Sequence, residues 1–187
     1  SDFRITGFVA GQGATVTRTT GVYASADAGS RAVSVTLGGG DFSAQAGTNL
    51  ANYVLPTSAA GVGRINPAVL TATIIGNPTK TYDGNTAATV SPSNFQLSGL
   101  ISGQSITVNQ VTGAYDSAAA GARTVSVSLG AADFGAGTGV NLANYAMPTL
   151  ASGAGTILEA STGSGDPVKD ILVGLGVPEP EARVGSA

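Results

Sequence analysis

Arg31-Ala32-Val33-Ser34-Val35-Thr36-Leu37-Gly38 returns about 92 residues later as Arg123-Thr124-Val125-Ser126-Val127-Ser128-Leu129-Gly130. In both stretches Val, Val and Leu alternate with Ser or Thr. A period of two places the aliphatic side chains on one face of an extended chain and the hydroxyls on the other. Each stretch therefore predicts a half-buried strand, and its recurrence predicts a fold built twice.

The same offset holds well beyond this block. Residues 1–68 align with 93–160 without a gap, and about 36 of the 68 pairs are identical, far above chance for a repeat of this length. Asp41-Phe42 matches Asp133-Phe134, and Asn49-Leu50-Ala51-Asn52-Tyr53 matches Asn141-Leu142-Ala143-Asn144-Tyr145. Residues 69–92 have no upstream counterpart. The chain thus divides into an incomplete first repeat at 1–68, a complete repeat at 69–160 and a tail at 161–187. The expectation is an excerpt from a longer array. Its alternatives are a structural unit of different phase, or an opening strand supplied by another chain, as in strand-addition recognition.

Further alternating runs occur at Leu70, Ala72 and Ile74 and at Ile106 and Val108, each bounded by turn-forming residues. Short strands are also expected around 86–90, 95–98, 111–115, 144–147 and 154–158. So many short strands in one repeat, with no helical stripe, predict an all-β chain of tandem antiparallel β-sandwich repeats of immunoglobulin-like type. A β-grasp fold or a β-solenoid is the alternative. In the tail, Ser161-Thr162-Gly163-Ser164-Gly165 reads as a linker, and Asp166-Pro167 as the start of a short helix.

Composition removes most chemistry. The 187 residues include no His, Cys or Trp, so the chain alone has no imidazole base, thiolate, disulfide or His/Cys zinc site. Without His, a serine nucleophile is left with a carboxylate or a lysine as partner, and the only lysines are Lys80 and Lys169. No catalytic, cofactor-binding or metal-binding residue is therefore assigned, no cofactor is expected, and the chain is read as a non-enzyme. Charged residues are 10% of the chain, with a net charge of -3, and the scattered basic residues make nucleic acid a poor partner. No stretch approaches the roughly 18 apolar residues that cross a bilayer, so membrane insertion is not expected.

The repeated polar residues read as structural. Asp41 and Asp133 occupy loop positions where Asp bonds nearby backbone, and neither an EF-hand nor a β-roll calcium pattern surrounds them. Arg31 and Arg123 share strand parity with inward aliphatics, which predicts snorkelling at the core rim. The pairs Phe3/Phe95, Tyr23/Tyr115, Phe42/Phe134 and Tyr53/Tyr145 read as core rather than as a sugar-stacking platform. A cross-link from Lys80 to Asp83, Asn85 or Asn94 is disfavoured because the first repeat contains no lysine.

Lys80-Thr81-Tyr82-Asp83-Gly84-Asn85, followed by Gly113-Ala114-Tyr115 and Asn144-Tyr145, resembles the YDG-type repeat of bacterial filamentous haemagglutinin-like adhesins and exoproteins exported by two-partner secretion. Residues 69–160 resemble one whole repeat, and residues 1–68 a repeat without its opening strand and YDG turn. The resemblance implies a secreted, cell-surface module of a long fibre, serving adhesion as stalk or contact surface. Its partners would be neighbouring repeats, other copies of itself, or a host or surface glycan or protein. It carries no catalytic or ligand residues, and Tyr82-Asp83-Gly84 reads as a turn in which glycine supplies the positive φ. Two alternatives stand beside it: a filament subunit assembling by strand complementation, and a glycan-binding module.

Overall fold

In this computed structural model the structure describes residues 2–160. The helix expected after Asp166 lies outside the described residues. The first repeat contributes β1 (Ala14–Val16), β2 (Val22–Tyr23), β3 (Gly29–Thr36), β4 (Phe42–Ala44) and β5 (Ser58–Ile65). The second opens with β6 (Ala68–Val69), β7 (Thr71–Ile74), β8 (Thr79–Thr81), β9 (Ala87–Thr89) and β10 (Phe95–Ser98). It continues with β11 (Ile106–Val108), β12 (Thr112–Tyr115), β13 (Gly121–Ser128), β14 (Phe134–Ala136), β15 (Tyr145–Ala146) and β16 (Leu150–Leu158). Among the described residues the chain is all-β, with several sheets, no closed barrel and only short 3-10 turns between strands, consistent with a β-sandwich architecture.

The sequence repeat is a structural repeat. β3 and β13 occupy equivalent residues, and each pairs antiparallel with the next long strand in the same register: Gly29↔Ile65 to Thr36↔Ser58 in the first copy, Gly121↔Ile157 to Ser128↔Leu150 in the second. β1 pairs β4 as β11 pairs β14. The 3-10 turns recur too, Gly39–Asp41 with Ala131–Asp133 and Leu50–Asn52 with Leu142–Asn144. Identical local sequence gives identical local structure even where the surroundings differ.

The surroundings do differ. In the second copy the sheet has seven strands in the order β10-β7-β16-β13-β12-β9, with β8 also on β16. In the first copy the equivalent sheet has three, β2-β3-β5. One expectation needs adjusting: β16 runs antiparallel to β13 but parallel to β7 and β8, so the larger sheet is mixed. The opening and closing segments of the repeat lie side by side and point the same way, and residues 82–149 supply the long crossover that a parallel pair requires.

Two compact units are present, both discontinuous in sequence. Among the described residues, one contains 2–71 with Leu97–Val108 and Gly130–Thr149; the other contains Ala72–Gln96, Asn109–Leu129 and 150–160. In the second unit Val125 and Val127 are 0% exposed and Ile157 is 1% exposed. Their counterparts in the first copy, Val33, Val35 and Ile65, are only half-buried. Within residues 2–68 only Leu37 and Phe42 are buried.

Candidate functional site

The repeated polar residues form local ties. Asp41 Oδ2 accepts from Gly38 N at 2.8 Å, and Asp133 Oδ2 from Gly130 N at 2.7 Å, each closing a 3-10 turn. Arg31 donates from Nε to Asp27 O at 2.9 Å and from Nη2 to Ala28 O at 2.8 Å. Arg123 does the same to Ala119 O at 2.6 Å and Ala120 O at 2.8 Å. The planar fork of donors thus clamps the carbonyls of the loop that precedes each long strand, a more specific task than snorkelling.

Tyr145 accepts at Oη from Ile101 N at 3.2 Å and donates to Gln104 Oε1. Tyr53 makes the equivalent pair with Val9 N and Gln12 Oε1. Tyr145→Phe strips both partners of this buried hydroxyl, and should cost about 1–2 kcal/mol, read as a lower urea midpoint at unchanged slope. The aromatic pairs are core only in part: Tyr115 is buried, whereas its counterpart Tyr23 is 42% exposed.

At the YDG turn Lys80 is the hub. Its Nζ lies 2.6 Å from Asp83 Oδ1 and donates to Asn85 Oδ1 at 2.9 Å, Asn85 O at 3.1 Å and Ala87 O at 3.2 Å. Hydrogen bonds from Lys80 and from the Asn85 N–H hold the Asp83 carboxyl below its ordinary pKa. Gly84 has φ +80 with no atom near its missing Cβ, so the turn needs glycine for conformation rather than for space. Asn94, the other residue considered as a cross-link partner, accepts from Ser91 N and donates to Ile75 O instead.

Asp27 links the two sequence repeats. Its Oδ1 accepts from Asn144 Nδ2 at 2.9 Å and from Asn141 Nδ2 at 3.3 Å, its Oδ2 from Ser25 Oγ at 3.0 Å, and Asn144 Oδ1 accepts from Ala28 N at 2.7 Å. Chiefly through Asn144, then Ser25 and Asn141, these donors lower the Asp27 pKa from 3.8. A carboxylate whose folded pKa is depressed stabilises the fold above its unfolded pKa and loses that contribution as pH falls through the folded value. Melting temperature should therefore drop as pH is lowered below 3.8, and Asp27→Asn should flatten part of that drop in a thermal melt series from neutral to strongly acidic pH.

The most asymmetric region is the sheet edge next to β5. In the second copy the opening segment pairs along β16 twice, Thr73 with Ser152 and Thr79 with Thr156. Six residues of that segment span four of β16, so the extra length arches over the sheet. Gly76 and Asn77 turn the arch at φ 77 and φ 48, Asn being the non-glycine residue best suited to the left-handed region. Asn77 and Thr156 bond through their side chains. The arch sets backbone carbonyls directly on two glycines of β16. A Cβ on Gly153 would lie 2.1 Å from Ile74 O, and one on Gly155 would lie 2.4 Å from Val125 Cγ2 and 3.0 Å from Pro78 O. Tyr115 Oη donates to that same Pro78 carbonyl at 2.9 Å, and burial raises its pKa.

The first copy retains the receiving half of this arrangement. Gly61 and Gly63 stand at the positions of Gly153 and Gly155, and Tyr23 at that of Tyr115. A Cβ on Gly61 would meet nothing within 4 Å. Beside it lies a groove of about 510 Å³ lined by Tyr23, Val33, Val35, Ala59 to Gly63 and residues 2–4.

The opposite face of the larger sheet is of another kind. A row of paired residues, Thr73, Ser152, Ser126, Ala114 and Ala87, crosses five strands in register, and all are exposed. Thr71, Thr89, Thr112, Thr124 and Ser128 share this exposure, so the outward residues of β7, β9, β12 and β13 are small and uncharged. Among the described residues no three of His, Cys, Asp and Glu gather into a cluster that could hold a metal ion, and no helix is long and apolar enough to cross a membrane.

These features define a tandem β-repeat chain whose polar side chains are spent mainly on turns and strand ties. A YDG domain is detected at residues 66–153, over the second repeat and the Lys80-centred turn. No curated protein and no solved structure matches the chain.

Proposed function

We propose that the chain is a non-catalytic structural module of a large secreted bacterial surface protein, serving as stalk or adhesive surface. The observation that carries this reading is the uncharged, mainly Ser/Thr/Ala face of the seven-stranded sheet, with Leu150 and Leu158 exposed at the two ends of β16, joined to a repeat duplicated in tandem. Small modules in series give length, because each contributes its own rise and depends mainly on its neighbours. A neutral hydroxylated face avoids the long-range attraction that charged surfaces exert on stray partners. The assignment to haemagglutinin-like adhesins and to two-partner secretion rests on the resemblance of the YDG-centred motif. The absence of exposed aromatics from that face gives a glycan-stacking platform no support.

A filament subunit is the second reading, favoured by the open edge of β5. Light scattering across a concentration series separates the two. A spacer stays at a mass near 18.1 kDa, whereas a filament subunit grows with concentration, and growth would overturn the spacer reading.

A further inference from the structure

We infer that the groove beside β5 is a strand-acceptor site, and that its occupant is the opening segment of a repeat of this same type, a strand of the sequence class of residues 69–81. The proposal holds whether the chain is a spacer or a filament subunit, because it concerns one groove and not the state of assembly.

The second repeat provides the template. There the groove face is covered by the arch between β7 and β8, which sets Ile74 O on Gly153 and Pro78 O beside Gly155 and accepts a hydrogen bond from Tyr115. Covering it takes Val125 and Val127 to 0% exposure. The first repeat keeps the two glycines, the aliphatic floor and the phenol, with Arg64 standing in place of Thr156. Gly61 is open, Val33 and Val35 present the same aliphatic floor, and Tyr23 lies over Gly63, its ring and hydroxyl 2.7 Å from where a Cβ would stand, as the Tyr115 ring lies over Gly155. Gly61 is the telling residue, since a strand interior disfavours glycine and no atom of the described residues lies within 4 Å of where its Cβ would stand. Its clearance is used only when a backbone lies across it.

The occupant's chemistry follows from the template. It must be extended and parallel to β5, must alternate aliphatic with small residues as Leu70-Thr71-Ala72-Thr73-Ile74 does, and must carry a two-residue arch with a left-handed turn such as Gly76-Asn77. By the register of the second copy its Ala72 and Thr73 positions would face Ala59 and Ala60, and its Thr79 position Arg64. Main-chain bonding at an open edge gives such a complex its affinity, and the side-chain alternation gives its register.

A synthetic peptide of residues 69–81 contains no tyrosine, so tyrosine signals report on the protein alone. Titrated into the full chain, it should bind saturably and shift the amide resonances of β2, β3 and β5, with Gly61 and Gly63 foremost, together with the ring resonances of Tyr23. Gly61→Val has room in the free protein and should leave its melting curve unchanged while weakening the peptide by about tenfold or more. Tyr23→Phe should weaken it less. A scrambled peptide that binds equally well, or a Gly61→Val protein that binds undiminished, would overturn the site. So would the absence of any shift at millimolar peptide. Self-association that blocks Gly61 and that the peptide does not reverse would assign the groove to a second folded copy and overturn the proposed occupant.

Discussion

Gly153→Val is expected to break the larger sheet. The added branched side chain would begin 2.1 Å from the Ile74 carbonyl oxygen, and the atom in the way is backbone, with no rotamer to escape into. Either β7 leaves β16 or the arch lifts, and in both cases Val125, Val127 and Ile157 lose cover. Overpacking of this kind costs about 3 kcal/mol or more, equivalent to a fall of roughly 6–12 °C in melting temperature for a chain of this length. Calorimetry on the variant checks it. The equivalent change at Gly61, where a Cβ meets nothing, should leave the same transition in place, so the two glycines test one explanation from opposite sides.

Ile157→Ala should be comparably severe. Ile157 is 1% exposed and sits at the end of the β13–β16 ladder, so truncation loses its transfer free energy and leaves a cavity that the β8 pairing keeps from closing. The expected cost is about 3–4 kcal/mol, visible as a lower urea midpoint. Ile65 occupies the same place in the first copy but is only half-buried, and Ile65→Ala should cost about 1 kcal/mol. Equal losses at the two positions would contradict the unequal burial described for the copies.

Much of this was legible in the sequence because the signals are local. Val33, Val35 and Leu37 and their counterparts mark β3 and β13 by alternation alone, and the repeated Asp-Phe and Asn-Leu-Ala-Asn-Tyr blocks recur as the same turns with the same caps. The strands expected around 86–90, 95–98, 111–115, 144–147 and 154–158 correspond to β9, β10, β12, β15 and β16. What escaped notice depends on distant partners. The parallel placement of β7 and β8 on β16 joins the two ends of the repeat, and no local period records direction. Asp27 gives no sign that its partners are Asn141 and Asn144, more than a hundred residues away. The unequal fates of Tyr23 and Tyr115 arise from the same matched sequence, because burial is decided by what covers a residue. One signal was available: glycines inside an otherwise regular strand, at 61, 63, 153 and 155, mark close backbone approach.

The parallel registry of β7 and β8 with β16 also determines how the second repeat meets mechanical load. Tension drawn through the chain pulls β7 from its leading end and β16 from its trailing end, and these lie at opposite ends of a shared edge. The strands must then slide past one another, so their hydrogen bonds and the Ile74 and Pro78 contacts on the two glycines are strained together rather than peeled in turn. Rupture in that geometry is governed by the unfolding rate rather than by equilibrium stability. The feature that makes Gly153 intolerant of a side chain is thus also a latch in shear.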